Sequence, residues 1–140
     1  MKMKSLLAFV SAFALAASLA MAEEDTPLSK EMSAMNKALR ALKKTAQDPA
    51  QKAANLAAVD KMKANVAAGL KYEPAKTKDQ PAAEKTAYLD KFKQQMSDLD
   101  KSLDELKASI DKGDKEAITK LFEKLGEIKE KGHKDFAPDE

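Results

Sequence analysis

The chain has 140 residues, of which 34% are charged and 44% are hydrophobic, with no cysteine, no tryptophan and four glycines. This length is typical of one domain, and the low glycine content favours helices over sheets. The absence of cysteine excludes disulfides, CxxC zinc sites, iron–sulfur clusters, covalent c-type haem attachment and thiol nucleophiles.

Residues 1–22 have the pattern of a secretory signal peptide. Two lysines precede an apolar run over residues 6–20, and an Ala-Met-Ala cleavage sequence ends at Ala22. We predict cleavage after Ala22, export to the bacterial periplasm, and a mature domain of residues 23–140 that has no membrane anchor, because the run is too short for an ordinary span. Cleavage lowers the formal charge from +2 to zero, which argues against nucleic acid as a partner.

Two start signals open the first pair of predicted helices. Thr26-Pro27 and Asp48-Pro49 each place a capping residue before a proline, which suits the first turn of a helix. Apolar residues then recur at steps of three and four, the spacing of one stripe along a helix. These stripes comprise Leu28, Met32, Met35, Leu39 and Leu42 in the first helix, and Leu56, Val59, Met62, Val66 and Leu70 in the second.

The segment KYEPAKTKDQP between the second and third helices has no apolar periodicity and is predicted to be one long loop. The third helix is predicted from about Ala82 to Asp111. Gly113 and Asp114 then form a tight turn and the cap of the fourth helix. The stripes are Phe92, Met96, Leu99, Leu103, Leu106 and Ile110 in the third helix, and Ile118, Leu121, Phe122, Leu125, Ile128 and Phe136 in the fourth.

No stretch alternates with a period of two, so we expect no strands. Four apolar stripes can be buried only against one another, and short connections make neighbouring helices antiparallel. The sequence therefore predicts an all-α fold, an antiparallel up-down-up-down four-helix bundle that follows the signal peptide.

This topology brings the beginning of the first helix and the end of the fourth helix to the same end of the bundle. Met32 would lie roughly 8 Å inside the first helix, and His133, the single histidine, roughly 6 Å from the end of the fourth. A thioether and an imidazole that face each other across an apolar gap are suitable axial ligands for haem iron. Val66, Leu70, Phe92 and Met96 would lie around the same gap.

Other interpretations of these residues are open. Methionines in a stripe are often core packing, and Met35 competes with Met32 as the ligand. A histidine near a helix terminus is often a solvated residue. Gly132 could end the fourth helix as a C-cap before His133, which would spoil the facing geometry.

The segment EMSAMNKAL, the interval between Gly113 and His133, and the signal peptide together resemble the periplasmic cytochrome b562 family. The resemblance covers nearly the whole mature chain. It implies that Met32 and His133 are axial ligands and that Phe92 and Met96 pack against the haem. The chain departs from the family pattern where Lys129 and Ala137 replace arginines, and where Gly132 replaces an aromatic residue.

By this resemblance the protein is a b-type cytochrome that carries one electron on one non-covalent haem b (protohaem IX) per chain. Both axial positions would be filled, which leaves no site for oxygen or substrate and argues against an enzyme. The expected partners are transient redox proteins, and the expected state is a monomer.

Two other functions are compatible with the same stripes. One is a haem-free periplasmic helical bundle that acts as a binding or stress-response module, with Lys43, Lys44, Lys61, Lys63 and Lys71 as a docking face. The other is a copper or other soft-metal site formed by His133 with Met32 and Met35.

Overall fold

The computed structural model describes residues 26–137. The predicted signal peptide, residues 1–22, lies outside the described residues. Within 26–137 the chain forms four α-helices and no strand: α1 (Pro27–Thr45), α2 (Lys52–Gly69), α3 (Lys85–Lys112) and α4 (Lys115–Phe136). The predicted all-α four-helix fold is confirmed.

The predicted capping residues begin α1 and α4, whereas Asp48-Pro49 begins the 3₁₀ helix Pro49–Gln51 and α2 starts only at Lys52. The Thr26 hydroxyl accepts a hydrogen bond from the Ser29 amide at 3.1 Å, and the Asp114 carboxylate accepts one from the Ala117 amide at 3.1 Å. Each bond satisfies an amide that has no partner within the first turn. Gly113 has φ = 69°, the left-handed conformation that ends α3 and reverses the chain direction.

Close backbone packing is concentrated in the three sequential helix pairs, α1 with α2, α2 with α3 and α3 with α4. The first and last helices are tied at one end, where the Gln47 side-chain amide donates to the Thr119 hydroxyl at 3.0 Å. Close backbone approaches between α1 and α4 are few or absent. The α1–α4 side is therefore less tightly packed than the three sequential helix pairs, and we call it the α1–α4 groove.

The core is built from the predicted stripes. Every stripe residue of α3 is buried, and the most deeply buried large side chains of the bundle include Met62, Leu103, Leu106, Ile118 and Leu125. Residues at the margins of the stripes, such as Met32, Leu39 and Phe122, are partly buried against this core. Each Å² of apolar surface removed from water stabilises the fold by about 25 cal/mol, and this burial holds the helices together.

Several details differ from the sequence prediction. The predicted loop contains a 3₁₀ helix, Ala75–Asp79, whose backbone amides and carbonyls bond to one another locally. Thr77 within it is buried at 4% exposure. α3 begins at Lys85, because residues 81–84 form a turn closed by the Glu84 amide on the Pro81 carbonyl at 2.9 Å. Leu70 is 42% exposed and does not join the core, because α2 ends at Gly69.

Gly132 does not end the fourth helix. α4 continues without interruption to Phe136, and the Ala137 amide donates to the His133 carbonyl at 2.9 Å. The C-cap interpretation of Gly132 is therefore wrong, and Phe136 is buried at 7% exposure as the last residue of the α4 stripe.

A pair of glycine substitutions tests the α3–α4 turn. Gly113→Ala should lower the free energy of unfolding by roughly 1–2 kcal/mol, because a Cβ is strained at positive φ. Gly126→Ala, in the middle of α4 where a Cβ meets no atom within 4 Å, should raise it by roughly 0.5–1 kcal/mol. Urea unfolding of both variants measures the difference, and equal effects would contradict the assignment of the turn.

Candidate functional site

Met32 and His133 lie at the same height in the bundle. The contact between Gln47 and Thr119 fixes one end of the α1–α4 pair. Met32 is 15 residues before Gln47 and His133 is 14 residues after Thr119. At 1.5 Å per residue both are therefore about 21–23 Å from the tied end. The antiparallel arrangement brings these two residues to one level.

Both residues also lie on the sides of their helices that border the groove. Glu31 accepts a hydrogen bond from Asn65 of α2 at 2.9 Å, which marks the side of α1 that faces α2. Met32 is rotated by about 100° from Glu31, toward the core and α4. Asp135 bonds Gln95 of α3 at 2.7 Å, and His133 is rotated by about 160° from Asp135, away from α3. Met32 and His133 therefore lie on the sides of α1 and α4 that border the α1–α4 groove.

The end of the Met32 side chain is directed into the core. A Cβ built on Gly69 would lie 3.1 Å from the terminal methyl of Met32 and 3.0 Å from that of Met96. Gly69 thus provides the space in which both methyl groups pack at the end of α2. The Met32 thioether must leave this position to reach the groove, and its three rotatable bonds permit that movement.

The His133 side chain is exposed, and no side chain among residues 26–137 hydrogen-bonds or ion-pairs with its imidazole. Both ring nitrogens are therefore available as donors of a lone pair or a proton. Because α4 runs through Gly132, the backbone of His133 is helical and the direction of its side chain is set by the helix.

Three of the predicted wall residues lie in the core at this end, where Val66 is 1%, Met96 5% and Phe92 6% exposed. Leu70, the fourth, is exposed. The Phe92 ring packs edge-on against Phe136 with centroids 5.3 Å apart. Van der Waals contact and ring electrostatics of this kind make a rigid apolar wall.

Tyr88 completes an aromatic cluster that the sequence prediction missed. Its ring centroid is 5.2 Å from that of Phe136, and its hydroxyl is buried without a partner among the described residues. Burial raises the pKa of the Tyr88 hydroxyl, with the charges of Asp135 and Asp79 adding to the shift. Tyr88 precedes Phe92 by one helical turn, and that i, i+4 spacing was the available signal.

A polar network fastens the end of α4 to α3. The Asp135 carboxylate accepts a hydrogen bond from the Gln95 amide and lies 3.1 Å from the Lys91 ammonium. Burial acts to raise the pKa of Asp135, but the bonds from Gln95 and Lys91 and the charges of Lys91 and Lys131 outweigh it and hold the pKa below its usual range. The network holds the helical turn that carries His133 against α3.

The residues that border this side of the bundle have the chemistry expected of a site for a flat apolar group held by a thioether and an imidazole. Gly126 lies two helical turns before His133 on the same side of α4, and open space surrounds the position of its absent Cβ. On the facing wall, one turn after Met32, the Asn36 side-chain oxygen is buried and has no hydrogen-bond partner among residues 26–137. The donor set, the few close backbone approaches between α1 and α4, and the buried Phe92 and Met96 are compatible with haem.

A comparison with known protein families agrees with this choice of candidate ligands and helices. A family model described as Cytochrome b562 matches residues 27–137, which include all four helices and both candidate ligands. The chain belongs to the cytochrome b562 family. No curated protein and no solved structure matches it significantly.

Cytochrome b562 proteins are haem-containing electron carriers rather than enzymes, and the family assignment implies a haem cofactor for this chain. Residues 26–137 contain no group of three or more histidine, cysteine, aspartate or glutamate side chains that could hold a metal ion. Among the same residues, no helix has the length and hydropathy needed to cross a membrane.

Asp135→Asn tests the network at the end of α4. Because the folded-state pKa of Asp135 lies below its unfolded value, the ionised carboxylate stabilises the fold above about pH 4. That contribution is lost as the pH falls through the folded-state pKa. At pH 7 the variant should lose about 1 kcal/mol of unfolding free energy, and the difference from the wild type should disappear once the pH is below the folded-state pKa.

The matched control is Asp90→Asn, which removes an exposed carboxylate on α3 at the same end of the bundle. Urea unfolding between pH 2 and pH 7 should show a change below about 0.5 kcal/mol for this variant. If Asp135→Asn has an effect that does not vary with pH, the network does not depend on the charge of Asp135.

Proposed function

We propose that this protein is a b-type cytochrome that carries one electron on a single non-covalent haem b, with Met32 and His133 as the axial ligands. The observation that carries the proposal is the position of these two residues, at one height on opposite walls of the α1–α4 groove. The family assignment, which spans both residues, supports it independently.

The burial pattern favours Met32 over Met35 as the sulfur ligand. Met35 is 4% exposed in the centre of the α1 stripe, whereas Met32 is partly buried at the margin that borders the groove. A thioether at the margin can turn toward the groove without opening the core. Met35 would have to leave a fully packed position.

The remaining residues of the site have supporting roles. Phe92, Met96 and Val66 provide an apolar wall that excludes water. Gly126, two helical turns before His133, leaves open space on the same side of α4. When bound, haem supplies an iron that gains or loses one electron, and a thioether ligand favours the reduced form. With imidazole and thioether both engaged, the chain offers no open axial position for a substrate.

We also propose a periplasmic location, since residues 1–22 have the signal-peptide pattern. Transfer to a partner would then be a brief encounter between a monomer and another redox protein of that compartment. Recovery of a chain with the mass of residues 23–140 from the periplasmic fraction would support the location, and an uncleaved chain found in the cytoplasmic fraction would contradict it.

His133→Ala tests the nitrogen ligand. Haem affinity should fall by more than the roughly 10–100-fold that typically follows loss of a hydrogen-bond partner of a metal ligand, because here the ligand itself is lost. Titration of the haem-free protein with haem, followed by visible absorption, measures the affinity. A variant that keeps the low-spin spectrum of the wild type would exclude His133 as a ligand.

Met32→Ala tests the sulfur ligand, with Met35→Ala as the matched control. Met32→Ala should still bind haem, but with a five-coordinate or water-ligated spectrum. Its potential should be lower by about 0.1 V, within the roughly 0.8 V range that axial ligands span. Met35→Ala should lose roughly 2–5 kcal/mol of stability and keep the wild-type spectrum. If the spectra of the two variants are interchanged, Met35 is the ligand.

A second candidate function is a haem-free periplasmic bundle that binds another molecule. The packing of the Met32 methyl against Gly69 and Met96 favours it, because the core at this end is filled by the chain itself. In that case added haem would give no saturable low-spin spectrum, and substitution of Met32 would change stability alone.

A further inference from the structure

The charges of the bundle are distributed unevenly among its helices. α1 carries five basic residues and one acidic residue. α2 carries three basic residues and one acidic residue. By contrast, α3 carries six of each sign, and α4 carries six basic and five acidic residues with Asp114 as its cap. The excess positive charge of the described residues therefore lies on the α1–α2 hairpin.

The lysines of α3 and α4 are accompanied by acidic residues. Four of these twelve lysines form ion pairs, as in Lys107 with Asp60 at 2.8 Å and Lys124 with Glu105 at 3.2 Å, and the other eight have a nearly equal number of acidic residues on the same helices. Five exposed basic residues of the hairpin have no ion-pair partner among residues 26–137. We call them the α1 basic face: Lys37, Arg40, Lys43, Lys44 and Lys61.

These residues form a continuous surface. Lys37, Arg40 and Lys44 follow one another at spacings of three and four, which is a ridge about 10 Å long on the outer side of α1. Lys61 lies one turn before Asn65, the residue of α2 that bonds Glu31 of α1, so it lies on the side of α2 next to α1. Like charges held this close are unfavourable in the isolated chain, and an anionic partner removes that repulsion.

We propose that the α1 basic face is the docking surface for an acidic redox protein. The protein as a whole is close to neutral after signal removal, so net charge alone gives no sign of this surface. Charge complementarity between local patches raises the rate of encounter more than the lifetime of the complex, as a transient electron exchange requires.

The position of the face connects it to the candidate haem site, and this step rests on the proposed function. Lys37 is five residues, or about 8 Å along the axis, from Met32 on the same helix. A protein seated on α1 would therefore lie beside the α1–α4 groove.

A membrane surface is less well matched to this face than a protein. Peripheral helices that bind membranes combine basic residues with large apolar residues that enter the lipid. The exposed large hydrophobic residues of the described chain are Leu70 and Tyr72, which lie at the end of α2 and not on the basic face. The α1 basic face has lysine, arginine, serine and alanine at its surface.

A nuclear magnetic resonance titration tests the proposal. The ¹⁵N-labelled chain is titrated at low salt with flavodoxin, used as a negatively charged electron-transfer protein. We expect amide shifts at residues 33–44 and near Lys61 that diminish as salt screens the charges. Lys37→Glu/Lys44→Glu should weaken binding by about tenfold or more.

The matched control is Lys93→Glu/Lys101→Glu, which makes the same change of net charge at two exposed lysines of α3. It should change the affinity by less than about twofold if location matters more than net charge. Equal losses in the two variants, shifts that map to α3 and α4, or no binding at low salt would each overturn the proposal.

Sedimentation with phosphatidylglycerol vesicles tests a membrane as the alternative partner. Vesicle binding that Lys37→Glu/Lys44→Glu abolishes, together with no flavodoxin footprint, would assign the face to a membrane.

The titration is carried out on both the haem-free and the haem-loaded protein. A footprint on α1 in a protein that takes up no haem would preserve the docking surface and overturn the proposed electron transfer. A haem-loaded protein with a normal low-spin spectrum and no footprint would overturn the docking surface alone.

Discussion

The relation between α1 and α4 is the constraint on which the rest of this structure depends. Each of the three sequential helix pairs is drawn together by a connection in the chain and by close backbone packing. The first and last helices are not consecutive in the chain, and the contact between Gln47 and Thr119 ties them at one end. The other end of this pair can therefore accept a group between the helices without breaking a well-packed interface. It is also the end that holds the chain's single histidine.

The chain reinforces the opposite side of α4 at that same end. Asp135 with Gln95 and Lys91, and Phe136 with Phe92 and Tyr88, all join α4 to α3. These contacts hold the last turns of α4 while leaving the His133 side chain exposed on the other flank. Rigid support behind a ligand and open space in front of it is a suitable arrangement for binding a cofactor. The Gln95 side-chain oxygen, buried without a partner, is the one unsatisfied polar atom of this α3–α4 polar network among the described residues.

Gly69 gives the site two possible arrangements. With the Met32 and Met96 methyl groups packed at Gly69, the end of the core is filled by the chain's own side chains. If Met32 ligates haem as proposed, moving the thioether toward the groove would exchange its contacts with Gly69 for a bond to iron, and haem binding would have to supply the difference in free energy. Because methionine has three rotatable bonds, its side chain can make this movement without a shift of the α1 backbone.

The sequence by itself determined the four helices, the caps of α1 and α4 and nearly all of the core, because apolar spacing and capping chemistry act locally along the chain. Thr26, Gly113 and Asp114 have the expected roles, and the candidate ligands and their common height follow from the number of residues per helix. The tertiary structure decided what depends on contacts between distant residues. It showed that α4 passes through Gly132, that Leu70 is exposed, and that Met32 packs against Gly69. It also revealed that the basic residues on the outer side of α1 have no carboxylate partner among the described residues. Several contacts between helices join side chains that are 34 to 72 positions apart, and no local pattern in the sequence predicts them.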